Sequence, residues 1–253
     1  PEHVKAAWLR SEYMEEHTLF SFHPFKDGAP YHVIRDLDLD ELVKKARIFR
    51  VYDHGYAPDP AYCAWIAHLG NRYIVIHEKK WLKAVVSEIA ASIHEEDPNL
   101  GVTRVATTYC DPVLDVHTGY DVRTMKDLFE YHGIPMEPSI NSREQFAAAV
   151  HTALAEEAEP GIPRLQIYAG HGADTGAPYM IKSIPQQRWD EKHPLRLADQ
   201  ANDHPVVALA YFLISHAADE ARTFTQRMVP KWMKPKRPIT DWILGQSNVR
   251  NIK

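Results

Sequence analysis

Three aspartates stand where side chains can converge. Asp53 ends the apolar run ARIFRVYD (46–53), Asp111 ends TRVATTYCD (103–111), and Asp203 opens DHPVVALAYFLISHAADEA (203–221). In layered α/β proteins, ligand sites gather at strand ends and helix N-termini. Carboxylates brought to contact distance repel one another and raise each other's pKa. A hard divalent cation such as Mg²⁺ relieves that repulsion and keeps several waters of its own. Two such ions about 4 Å apart can activate a water and stabilise the leaving oxygen of a phosphodiester. The residue types therefore fit phosphodiester hydrolysis without a protein nucleophile. Taken singly, each acid is also what a turn or a helix cap uses, and Asp203 is a plausible N-cap.

Other residues near these acids carry two readings each. His54 and His204 adjoin proposed ligands and could orient water, bind metal or contact phosphate, or they could be histidines facing solvent beside a turn. Glu78, at the end of an apolar strand, reads first as an exposed strand-end acid and second as an outer acid of the site. Lys182, Arg188, Lys192 and Arg196 precede Asp203 and could line a DNA backbone, where phosphate neutralisation supplies most non-specific affinity. A solvated face is the equal alternative. His171 and Asp174, in the glycine-rich AGHGADTGAP, do not make a hydrolase dyad, because no G-x-S-x-G element accompanies them.

The elements that must place these groups are readable from periodicity. ARIFRVYD, AYCAWIAHL (61–69) and RYIVIHE (72–78) are short, β-branched or aromatic runs joined by short turns, which predicts an antiparallel meander. WLKAVVSEIAASI (81–93) places Leu82, Val85, Val86, Ile89 and Ile93 at helical spacing. TRVATTYCD is a fourth strand and RLQIYA (164–169) a fifth, with one strand possible at Tyr31–Ile34. DVRTMKDLFEYHG (121–133) and SREQFAAAVHTALAEE (142–157) read as helices, the first stopped by Gly133 and the second capped by Ser142. MIKSIPQQRW (180–189) starts helical and is broken at Pro185. The last helix is long and apolar, with Ala208, Leu209, Tyr211, Phe212 and Leu213 as core rather than site residues. Residues 1–20 read as a weak helix, and the chain ends in a basic, proline-rich tail with Lys231, Lys234, Lys236 and Arg237. An alternation of this kind predicts a mixed sheet with helices on both faces.

Composition narrows the class. The chain of 253 residues has a hydrophobic content of 45%, enough for a sizeable core. Its formal net charge of −5 weighs mildly against a nucleic-acid partner, although a local basic surface beside an acidic metal site suffices for a nuclease. Cys63 and Cys110 lack the close spacing of a zinc site and read as buried thiols. No apolar run approaches the roughly 18 residues that span a membrane, and no signal-peptide pattern is present at the start.

Three stretches carry a resemblance. RVYDHGYAPDPAYCAWIAHLGNRYIVIHEKKW (50–81), VATTYCDPVLD (105–115) and RWDEKHPLRLADQANDHPVVALAYFL (188–213) follow one another in the order seen in the nuclease domains of phage terminase large subunits, which they resemble. That family shows a strand ending in Asp, a strand ending in Asp-Pro, and an Asp-His segment leading into a helix. The match spans roughly residues 46–215. It implies a ribonuclease H-like α/β fold, with a mixed central sheet of about five or more strands flanked by helices. It also implies metal-dependent endonuclease cleavage of double-stranded DNA during viral genome packaging, with two Mg²⁺ or Mn²⁺ ions held by Asp53, Asp111 and Asp203. One position departs from the pattern: many members carry an acid three residues after the histidine, where this chain has Val207.

Further expectations rest on the same resemblance. Residues 46–225 form the nuclease domain, 1–45 a lead-in from a packaging ATPase, and 226–253 the tail. No G-x-x-x-x-G-K-[ST] phosphate loop is present, so the ATPase domain is absent from this chain. Portal protein and the small terminase subunit would be partners, and the host-cell cytoplasm the location. Two other readings stay open: a resolvase- or transposase-type enzyme on the same fold, and a catalytically silent DNA-binding or assembly module, which Val207 keeps alive.

Overall fold

The computed structural model describes residues 19–117, 123–171, 175–190, 192–193, 196–198 and 203–228. The weak N-terminal helix, Gly172 and Asp174 of the glycine-rich loop, and the basic residues of the tail lie outside the described residues. The chain divides into two compact units, Pro1–Ser215 and His216–Lys253.

In the first unit, a hairpin of β1 (Phe25–Lys26) and β2 (Ala29–Pro30) leads to β3 (Val33–Ile34) and α1 (Leu39–Lys45). The meander follows as β4 (Arg47–Asp53), β5 (Ala61–Leu69) and β6 (Arg72–Trp81). Next come α2 (Val86–Asn99), β7 (Val105–Cys110), α3 (Met125–Tyr131), β8 (Glu137–Pro138) and α4 (Arg143–Ala155). A second hairpin, β9 (Glu157–Glu159) and β10 (Ile162–Pro163), precedes β11 (Leu165–Tyr168), α5 (Pro178–Ser183) and α6 (His204–Met228). Helix α6 continues into the second unit, where Arg222 pairs with Asp219 at 2.6 Å.

Seven strands form one mixed sheet in the order β3-β11-β6-β5-β4-β7-β8. The meander pairs antiparallel, whereas β7 runs parallel to β4, and β11 runs parallel to both β6 and β3. Alternation along each strand sends one side chain set to each face. Phe49, Val51, Tyr62 and Ile66 pack beneath α4 and the first three turns of α6, while Ile48, Tyr52, Cys63 and Trp65 pack beneath α1, α2 and α3. Both faces of β4 and β5 are thus covered, which is why these strands read as continuous apolar runs rather than alternating ones.

The expected mixed α/β sheet flanked by helices is present, and both cysteines are buried free thiols. Local boundaries differ. The helix expected from Trp81 starts at Val86, and Leu82 and Val85 are 59% and 52% exposed. Helical spacing continues upstream of the helix because Trp81 still belongs to β6. Ser142 precedes α4 but makes no capping bond. Residues 19–45 hold more structure than an irregular lead-in: Phe20, Phe22 and Val33 enter the core, and β3 forms a sheet edge.

Candidate metal centre

The parallel pairing of β4 and β7 decides the site. Tyr52 stands opposite Cys110, and the Asp111 amide donates to the Tyr52 carbonyl at 3.0 Å. Asp53 and Asp111 therefore leave the sheet side by side, at the same end. Asp111 accepts from the Val113 amide at 3.0 Å and so starts the 3-10 turn that Pro112 opens. Gly55 is required just after Asp53, since a Cβ there would lie 2.5 Å from the Pro60 carbonyl oxygen. The loop folds back on itself and holds His54 beside the acids.

Helix α6 closes the third side. The Asp203 carbonyl accepts from the amides of Val206 and Val207, both at 2.9 Å, and so begins the helix. His204 Nδ1 lies 2.6 Å from Asp53 Oδ2. Two turns later, on the same helix face, the Tyr211 hydroxyl hydrogen-bonds the Asp111 carboxylate. One helix thus steadies both strand-end acids. Tyr211 is buried as expected of core, yet it also serves the site, and its spacing of seven residues from His204 is the signal that could have found it.

The electrostatics are those of a site short of positive charge. Burial pushes the Asp53 carboxyl up to about 6, with Asp111 and Asp203 adding repulsion and the His204 bond opposing. Its bond to Asp53 raises His204 above its usual value, with Asp203 helping. His54 is lowered, first by burial and then by His204, so it is held neutral. Its Nδ1 is 3.3 Å from the Tyr52 hydroxyl. No trio from Asp53, His204, Asp111 and Asp203 has its ligand atoms all within 4.8 Å of one another. This donor set of three carboxylates suits a hard divalent cation.

These shifts set a pH dependence. An acid raised in the folded state loses stability as pH climbs from its unfolded value to its folded one, and a raised histidine contributes stability that is lost through its folded pKa. Asp53 and His204 act in the same direction. The chelator-treated protein is expected to melt several degrees higher at pH 5.5 than at pH 8, and Mg²⁺ at pH 8 to restore the difference. A thermal melt series checks this, and higher stability at pH 8 without metal would contradict the buried-charge reading.

Glu78 corrects its first reading. It is 6% exposed rather than solvent-facing. Burial pushes it up to about 7, against hydrogen bonds from Tyr62 (2.6 Å) and from the amides of Tyr179 and Met180. It ties α5 to the sheet, and its partner Tyr62 on β5 stands opposite Asp53 in the pairing with β4. Lys80 sits 3.4 Å from the centroid of the Tyr179 ring and is lowered by burial and by neighbouring Lys182. Sequence reasoning missed Lys80 as the partner of Lys182. Arg188 and Lys192 are exposed, whereas Arg196 is bound to Glu144 of α4 at 2.9 Å. His171 donates its amide to the Thr175 hydroxyl at 2.9 Å and sets its ring edge-on to Tyr168.

No family model and no curated protein matches the chain. Solved structures do. The large terminase of a thermophilic bacteriophage overlays with a TM-score of 0.56 at 14% identity over 83% of this chain, and the chain spans about half (50%) of that protein. The nuclease domain of the P22 large terminase overlays with a TM-score of 0.55 at 10% identity, covering 81% of this chain and 94% of that domain. The chain therefore has the ribonuclease H-like fold of a terminase nuclease domain.

Proposed function

We propose that this chain is a divalent-metal-dependent endonuclease that cuts double-stranded DNA, the nuclease part of a terminase large subunit acting in viral genome packaging. What carries the reading is the convergence of Asp53, Asp111 and the Asp203–His204 helix start at one end of a sheet of this fold. Residues 46–225 would form the nuclease domain, with portal protein and the small subunit as partners of the whole protein. A resolvase-type enzyme has no separate observation in its favour, and a silent module has only Val207 in place of the family's acid.

Asp53, Asp111 and Asp203 would hold two Mg²⁺ or Mn²⁺ ions, which when bound supply a water acidic enough to attack phosphorus and charge for the departing oxygen. His204 fixes the orientation of Asp53, and Tyr211 that of Asp111. Neutral His54 is free to accept a proton from a water near Asp111. Lys80 and Lys182 offer positive charge to the DNA backbone, with Arg188 and Lys192 on the segment that leads to α6. Nothing resembles a base-reading module, so cutting should be largely independent of sequence.

Supercoiled plasmid incubated with the purified chain tests this. Nicked and linear products are expected with Mg²⁺ or Mn²⁺, and none with EDTA. Cleavage that persists in EDTA sinks the metal mechanism, while DNA binding with no cleavage under any metal favours the silent module.

A further inference from the structure

The outer end of the sheet has a gap. Strand β8 pairs with β7 only at Tyr109–Glu137 and Cys110–Pro138. Continued backwards, that register would set Pro135 beside Thr107 and Gly133 beside Val105. Proline has no N–H to give, and Gly133, at φ +79°, is still turning the chain out of α3. Pairing lapses there. Among the described residues, and apart from the Thr108 carbonyl, which the Tyr109–Glu137 pairing uses, the outer edge of Thr103–Thr108 has no backbone partner. A cavity of about 220 Å³ opens along it, with Gly133 and Pro135 on the far wall. One water needs only about 10–15 Å³ on that measure.

Arg50 lines this cavity from β4, on the sheet face opposite to Asp53. It is 5% exposed, and its Nε and Nη1 make no hydrogen bond among the described residues. Asp97 Oδ2 is 3.4 Å from Nη1 but does not satisfy it, and Asp97 Oδ1 is taken by the Trp65 indole at 2.8 Å. Exposed Arg104 adds a second positive charge at the rim. Two arginines thus face one occupied aspartate. A planar guanidinium with spare donors matches a carboxylate, which it can hold through two parallel bonds. An open strand edge takes an extended chain through its backbone.

We propose that the free edge of β7 docks an extended peptide segment as an added strand, with an acidic side chain of that segment entering the cavity to pair with Arg50. The edge supplies backbone donors and acceptors, and the arginine selects the acid. This does not depend on the metal centre or on the proposed activity.

The test is a titration of the full ¹⁵N-labelled chain with acetylated, amidated Thr-Val-Glu-Val-Thr and with the same peptide carrying Gln for Glu. Shift changes are expected on the amides of residues 103–108 and on the Arg50 Nε–H, with binding weakened roughly tenfold by the Gln peptide, by Arg50→Gln and by Arg104→Glu. Arg104 is exposed, so its variant keeps the test decisive if Arg50→Gln fails to fold. Equal binding of the two peptides overturns the proposal, as does silence at these signals at millimolar peptide. A response to acetate or inorganic phosphate but not to peptide would overturn it too, leaving a small-anion pocket.

Discussion

Asp53→Asn is expected to lower plasmid cleavage by roughly three orders of magnitude or more while making the metal-free protein more stable at pH 8. The loss follows from the position of Asp53, which ends β4 beside Asp111 and is oriented by His204. Lewis-acid stabilisation by bound ions contributes several kcal/mol, and each 1.4 kcal/mol or so is a factor of ten in rate. The gain in stability follows from burial. A carboxyl held near 6 rather than at its ordinary value of 3.8 is costly to ionise in the folded state at pH 8. The difference corresponds to about 3 kcal/mol, and the amide does not incur it. A rise of roughly 5 °C in melting temperature is expected, since about 1 kcal/mol shifts a domain of this size by about 2–4 °C and part is returned through the lost His204 contact. Wild-type cleavage by the variant would remove Asp53 from the site. A lower melting temperature would mean that its charge is not a folding cost.

Asp203→Ala, which removes the proposed third ligand, is expected to reduce cleavage by about a hundredfold or more with its fold intact, as circular dichroism would show. Helix α6 offers two other groups nearby, His204 and position 207. His204 already serves Asp53. Val207 stands one turn after His204 and one turn before Tyr211, so it shares the helix face that serves the two strand-end acids. It is partly buried and packs against the core. An acid placed there would add a carboxylate to the proposed metal site from the same side. Val207→Asp in the Asp203→Ala background should recover at least about tenfold of the lost rate. If Asp203→Ala keeps full activity while His204→Ala abolishes it, the imidazole is the third ligand and His204 changes from an orienting group to a binding one.

The placement of the candidate site's acids was legible because two simple patterns converged. An apolar run that ends in an acid places that acid at a strand end, and both Asp53 and Asp111 obey this. A Pro two residues after an acid at a helix start marks an N-terminus, as at Asp203. Glu78 was misjudged because strand ends are usually wet. Here α5 returns from 100 residues further along and places the Tyr179 and Met180 amides on it, which no local pattern announces. Arg196 read equally as a cation along DNA and as part of a solvated face, and only folding brought Glu144 of α4 to it. Lys80 went unnoticed because its meaning depends on Lys182 and Tyr179, neighbours across the fold but not along the chain.

Local sequence is enough to set which segments are strands and helices, which faces they bury, and that acids stand at their ends. Those properties follow from side-chain period and backbone preference, which act over a few residues. It takes the folded chain to lay β7 against β4 and not against β6, to insert β11 between β3 and β6, and to land α6 with His204 on Asp53 and Tyr211 on Asp111. Strand order and helix registry are settled by how the whole core closes, and burial has no preference for one distant partner over another until all of them are in place.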